Sequence, residues 1–199
     1  MPLMRPFRPG DEPAIARICL ATADNGADAT GQLDDDDILP ELFALPYLAR
    51  HPEFVRIVES DDGRPIGYIV GAPDSGDFES WFGSTWWPRN GERWPMPATF
   101  ASRTDGMIGY GYSRGHGDIL VSDAFPAHLH IDLLPEAQGA GWGRALIAEL
   151  GSALRAAGVA GVHADVSKEN EGALRFYPRV GFETVSEDER SVRFGLRLV

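Results

Sequence analysis

Residues 133 to 144 read Leu-Leu-Pro-Glu-Ala-Gln-Gly-Ala-Gly-Trp-Gly-Arg. An apolar run passes through a proline turn and three alternating glycines into a stretch of helical periodicity that ends near Ala157. A strand joined to a helix in this way aims backbone N–H groups and the positive end of the helix at one point, and the missing side chains let a phosphate approach the backbone. The segment therefore predicts an anion site inside an α/β fold. Spacing narrows the class. A Walker A loop ends in Gly-Lys-Ser/Thr, but Gly143 is followed by Arg144 and Ala145. A Rossmann fingerprint needs a third glycine where Arg144 stands, and here the unit comes late, after a hairpin. Asp165 lies near the customary acidic position, yet neither nucleotide reading fits well.

The rest of the chain supplies the elements around that turn. Leu3 to Arg8 reads as a short edge strand and Pro9 to Asp11 as a turn, after which Ile15, Ile18, Cys19 and Leu20 recur at helical spacing. Thr22 to Asp37 is a loop rich in Gly, Asp and Ala. Its last four residues, Asp34 to Asp37, suit the positive end of a helix over Ile38 to Ala49 better than they suit a metal site. Phe54 to Ser60 and Pro65 to Ala72 flank Asp61-Asp62-Gly63 as a hairpin. Ala127 to Leu134 reads as a strand, Gly139 to Ala157 as a helix, Gly161 to Val166 as a strand and Glu171 to Val180 as a helix. Phe182 to Val185 and Ser191 to Val199 close the chain as strands, the last alternating Val192, Phe194, Leu196 and Leu198. Residues 73 to 117 are the least regular and hold four of the five tryptophans, Trp81, Trp86, Trp87 and Trp94. Structureless runs of that length are uncommon, so short helices are expected there. Two readings of its tryptophans stay open: they line the acceptor side of a site, or they plug one end of the core.

A chain of 199 residues suits one domain with a sizeable core, and 43% apolar with 24% charged residues is ordinary globular composition. The net charge of -12 argues against nucleic acid and against an electrostatic hold on anionic membranes, and favours a cationic acceptor such as an amine. Cys19 is the single cysteine, so no intrachain disulfide forms and the residue reads as core filler. The N-terminus, MPLMRPFRPGDEP, lacks the apolar run of a signal peptide, and no stretch approaches the ~18 apolar residues of a membrane span. A cytoplasmic location is expected.

Gln138, Gly141 and Gly143 form a Gln-x-x-Gly-x-Gly pattern that resembles the pyrophosphate loop of the GNAT superfamily of N-acetyltransferases. Downstream, Asn170, Ala173, Phe176-Tyr177 and Gly181-Phe182 resemble the superfamily's Asn-x-x-Ala-x-x-Phe-Tyr-x-x-x-Gly-Phe signature at full spacing, and Arg5-Pro6 with Asp11 resembles its opening strand and helix. The resemblance covers essentially the whole chain. It implies one domain over residues 1–199 with a Trp-rich insertion at about 73–117, and a central mixed, largely antiparallel twisted sheet flanked by helices. A strand pair would splay at the acetyl-CoA site. Gly67 to Asp74, Phe78, Trp87-Pro88, Arg93 to Pro95 and His128 to Pro135 carry a narrower resemblance, to bacterial acetyltransferases similar to the acetyltransferase-like C-terminal domain of eukaryotic O-GlcNAcases. Those eukaryotic relatives depart from the glycine loop, which is intact here.

What the resemblance implies can be assigned residue by residue. Acetyl-CoA would be the co-substrate, with no metal. Backbone groups of Leu133 and Leu134 would pair with the pantetheine arm, one N–H serving as an oxyanion donor. After Gln138, the amides of Gly139, Ala140, Gly141, Trp142, Gly143 and Arg144 would hold the pyrophosphate. Asn170 would bind the arm or an ordered water, a role compatible with capping the helix that begins at Glu171. Tyr177 would reach the sulfur and protonate the leaving thiolate, with Phe176 as its neighbour in the core. An amine of pKa near ~10.4 must lose a proton before it attacks. Asp165, Asp132 and His130 are the candidate bases; structural hydrogen bonding or simple exposure is the other reading of Asp132, His128 and His130. The expected activity is acetyl transfer to a primary amine on a small molecule, peptide or lysine. The alternative is a GNAT-fold regulatory module that binds acetyl-CoA without turnover. The expected partners are acetyl-CoA and an amine, with no nucleic acid or membrane, and a homodimer is left open.

Overall fold

The apolar alternations pair into one seven-stranded sheet. In a computed structural model describing residues 2–115 and 123–198, β1 (Leu3–Pro6), β2 (Arg56–Glu59), β3 (Pro65–Ala72), β4 (Ala127–Leu133), β5 (Gly161–Ser167), β6 (Glu183–Glu187) and β7 (Ser191–Arg197) lie in the order β1-β2-β3-β4-β5-β7-β6. His116 and Gly117 of the irregular stretch, and Val199 of the last expected strand, lie outside the described residues. All neighbours run antiparallel except β4 and β5. These two pair only at Ala127↔Val162 and His128↔His163. Beyond that point β4 stays with β3 as far as Gly67↔Leu133, and β5 stays with β7 as far as Ser167↔Ser191. Each half of the sheet follows its own antiparallel partner, and the pair splays apart as expected.

Each face of the sheet is covered. Helices α1 (Glu12–Leu20), α2 (Ile38–Phe43), α3 (Leu45–Arg50), α4 (Ser75–Trp81) and α5 (Arg103–Ser113) share one core with Tyr68, Val70 and Ala72 of β3. Helices α6 (Trp142–Ala156) and α7 (Glu171–Arg179) share the other with Ile69, Leu129 and Val162. Along α6 the buried Leu146, Ile147, Leu150 and Leu154 recur at helical spacing and make the stripe that meets the sheet. No helix among the described residues is long and apolar enough to cross a membrane.

Two expectations need correction, and of the two open readings of the tryptophans the core one fits Trp87 and Trp94. The helix expected over 38 to 49 is two, broken at Ala44 (φ -130°, ψ -59°). Pro46 in the first turn of α3 has no N–H to offer the carbonyl of Leu42, and the guanidinium of Arg114 takes that carbonyl at 2.6 Å instead. The helix expected from Gly139 begins at Trp142, because Gly139 and Gly141 hold φ of +74° and +86°, outside helical space. In the Trp-rich stretch short helices do form, but Trp87 and Trp94 are 1% and 4% exposed and stack at 5.6 Å. They fill the core beneath α5.

Candidate active site

Where β4 and β5 part, a cleft of about 830 Å³ opens between the glycine turn and α7. The N–H groups of residues 139 to 144 find no acceptor among the described residues; the first amide of α6 to bond is Ala145, to Gly141 at 3.1 Å. Open space surrounds the Cα of Gly139 and Gly141, whereas a Cβ on Gly143 would lie 2.8 Å from the ring of Phe176. The first two glycines thus serve the backbone turn and the third serves the close packing of α6 on α7. A row of unpaired amides at a helix N-terminus is a preformed anion site, and Arg144, Arg175 and Arg179 line the same cleft. This basic rim belongs to a chain of net charge -12, and the residues fit a phosphate-bearing ligand.

Of the residues expected here, Leu133, Gln138, Gly139, Gly141, Gly143, Arg144, Asn170 and Tyr177 line the cleft; Leu134, Ala140 and Trp142 do not. Leu134 is committed elsewhere, its N–H donating to the carbonyl of Ile66 at 2.9 Å. Antiparallel partners alternate between facing and turning away, so the backbone groups of Leu133 and Ile131 turn from β3 toward the splay. Ile131 was missed, although counting back by two from Leu133 reaches it. The Gln138 side chain donates to the carbonyl of Leu133 at 2.9 Å and so braces the loop. Asn170 caps α7, its Oδ1 accepting from the N–H of Ala173 at 2.9 Å. Thr22 and Asn25, from the loop after α1, also border the cleft; Asn25 holds φ of +52°, a conformation Asn tolerates better than most residues.

The two rings of α7 exchange their expected places. Tyr177 is the buried one, 5% exposed, stacked on Phe194 at 5.5 Å and set edge-on to Phe182 at 5.0 Å, while Phe176 is partly buried and faces Gly143. Tyr177 nonetheless reaches the cleft. Burial, and then the charge of Asp132, raise its pKa above the ordinary tyrosine value. Asp132 lines the same cleft. Its carboxylate accepts from the hydroxyl of Tyr68, its partner on β3, and burial pushes its pKa up while the bond from Tyr68 pulls it down.

Residues 128 to 130 of β4 open on a second hollow, of about 400 Å³, whose far wall is β5. His128 is held at both nitrogens: Ser75 Oγ donates to the Pro126 carbonyl at 2.7 Å and so accepts from Nδ1 at 2.8 Å, leaving Nε2 to accept from Tyr47 at 2.7 Å. Both its ring nitrogens are thus taken up within the fold. His130 sits against the rings of Phe43 (5.7 Å) and Tyr47 (5.4 Å), and burial drops its pKa to about 4. Asp165 lines this hollow, but Arg193 on β7 grips both its oxygens, at 2.7 and 2.8 Å. Among the described residues no group of His, Cys, Asp and Glu is arranged to hold a metal.

Comparison with known proteins accords with this geometry. Residues 24–182 match the profile described as Acetyltransferase (GNAT) family. The crystal structure of SsHAT superposes with a TM-score of 0.93 at 34% identity, covering 100% of this chain and 98% of that one. The structure of yncA, a putative acetyltransferase from Salmonella typhimurium with its cofactor acetyl-CoA, aligns with a TM-score of 0.58 at 17% identity, covering 100% and 95%. Protein O-GlcNAcase of Rattus norvegicus is 22% identical over 189 residues, 94% of this chain and 20% of that protein. The chain thus spans about a fifth of the length of that curated relative.

Proposed function

The chain belongs to the acetyltransferase (GNAT) family, and on that premise we propose that it transfers the acetyl group of acetyl-CoA to the nitrogen of a primary amine by direct attack. The observation that carries the reading is the juncture on β4. The phosphate-fitting cleft reaches it along residues 131 to 133, and the smaller hollow reaches it along residues 128 to 130. The cofactor then comes from the α7 side and the amine from the α5 side. The amine nitrogen bonds to the acetyl carbon, the C–S bond breaks, and the thiolate departs.

The chain's own groups have defined tasks in that step. The amides of residues 139 to 144 take the pyrophosphate, with Arg144, Arg175 and Arg179 around them. An N–H of Ile131 or Leu133, turned toward the splay, donates to the developing oxyanion. Asp132 takes the proton the amine sheds; its raised pKa brings it nearer the working range of a general base. Asp165, bound on both oxygens by Arg193, is the weaker candidate. Tyr177 faces the sulfur as a hydrogen-bond donor. With its pKa raised, full proton transfer to a thiolate of pKa ~8.5 is uphill, so its contribution is the bond rather than the proton.

Purified protein incubated with acetyl-CoA and a panel of primary amines tests the reading, with free thiol and acetylated amine measured together. Amine-dependent thiol release, matched mole for mole by acetylated amine, is the expected result. Saturable acetyl-CoA binding with no thiol release from any amine would instead establish a regulatory module that binds without turnover.

A further inference from the structure

The hollow beside the β4/β5 juncture has an unusual wall. Phe43, Tyr47, Tyr110, His128, His130 and His163 all line it, and their rings touch in succession. Tyr110 stacks on Phe43 at 5.9 Å, Phe43 meets His130 at 5.7 Å, His130 meets Tyr47 at 5.4 Å, Tyr47 meets His128 at 5.4 Å and His128 meets His163 at 5.9 Å. Burial lowers the pKa of all three histidines, so the ring wall is uncharged near neutral pH.

The charges in the hollow are already spent on one another. Glu79 and Asp165 are its carboxylates among the described residues. Arg114 holds both oxygens of Glu79, and Arg193 holds both oxygens of Asp165. The first pair is largely buried, with side-chain exposures of 6% and 16%, and Arg114 also lies 3.8 Å over the ring of Phe82. Among the described residues, therefore, the negative charge of the chain does not extend into this hollow as unpaired carboxylate. A second ammonium group on a substrate would lose its water there and find no unpaired carboxylate among the described residues, which is costly.

We propose that the acceptor is a monoamine carrying a planar apolar or aromatic group, with a diamine or polyamine disfavoured; this rests on the acetyl-transfer reading. The planar group lies against Phe43 and Tyr110, with the buried Tyr47 behind them, while the single amine reaches the juncture on β4. Leaving water for a ring-lined site whose charges are already paired also favours the neutral amine, the form that attacks. The volume of about 400 Å³ is in the range of small-molecule sites.

Phenylethylamine and diaminobutane serve as the two probes, each assayed for acetyl transfer and, by calorimetry, for binding to the protein saturated with CoA. The expected result is a kcat/KM for phenylethylamine at least ~10-fold above that for diaminobutane, the scale on which apolar pockets discriminate. Tyr110→Ala, at a position 43% exposed and so outside the packed core, should raise the KM for phenylethylamine several-fold and leave that for acetyl-CoA unchanged. Phe43→Leu should act in the same direction. Diaminobutane used as well as phenylethylamine, or no calorimetric signal from phenylethylamine, overturns the inference. Binding of phenylethylamine without transfer to either amine would leave the ligand class standing and sink the acetyl-transfer reading instead.

Discussion

At the scale of single residues the mechanism turns on two groups at the cleft, and each predicts a distinct kinetic signature. If Asp132 takes the amine's proton, activity needs its carboxylate, so kcat/KM should fall as pH drops through its pKa. Burial raises that pKa, which puts the acid limb above the ordinary ~3.9 of an aspartate. Asp132→Asn should abolish that limb and lower kcat by ~10²-fold or more, as read from pH–rate profiles of the two proteins. Tyr177→Phe keeps the ring stacked on Phe194 and Phe182, so its melting temperature should match wild type while kcat falls by about tenfold, the share of one transition-state hydrogen bond. An unchanged kcat would remove the hydroxyl from the mechanism. The sequence singled out Tyr177 by its motif but misjudged its burial. Two adjacent aromatic residues on a helix differ by about 100° in direction, and which one meets the sheet depends on how α7 docks. Leu134 likewise read as a pantetheine partner, because which strand residues face the splay is set by register with β3.

At the scale of elements, the strand, turn and helix from Ala127 to Ala156 were legible because local rules dictate them. Gly139 and Gly141 occupy left-handed backbone that other residues resist, and the buried stripe of α6 keeps helical period. Gly141→Asp should therefore cost twice, through strain at φ +86° and through a carboxylate beside the anion site. Calorimetry should show acetyl-CoA affinity weakened by at least about tenfold; unchanged affinity would move the cofactor site elsewhere. The split of α2 from α3 was also in the sequence, in Pro46, which has no N–H to continue the helix onto the carbonyl of Leu42 and suits the first turn of a new helix instead. The Trp-rich stretch resisted local reading. Trp87 and Trp94 look the same in sequence whether they face a ligand or a core, and it is the packing of α5 over them that makes them core.

At the scale of the whole molecule, the fold was legible from two motifs in order and at the right distance, whereas the ring-lined hollow was not. Its walls come from α2, α3, α4, α5, β4, β5 and β7, brought together only by long-range packing. That assembly keeps His130 neutral, and the consequence for stability has a definite sign. A histidine at 6.5 in the unfolded chain and at about 4 in the folded protein binds its proton more readily when unfolded. The stability is present in full above pH 6.5 and is lost as pH falls toward 4, by about 3 kcal/mol for this shift. Denaturant unfolding across that window should show the loss, and His130→Gln should flatten it in part, since His128 and His163 titrate in the same direction. The central claim is that cofactor and acceptor meet where β4 leaves β5, and a crystal structure with bound CoA tests it most directly. The account predicts the pyrophosphate on the amides of residues 139 to 144 and the thiol at the splay beside Ile131, Asp132 and Tyr177. Pyrophosphate bound away from the glycine turn, or a thiol directed away from β4, would contradict it.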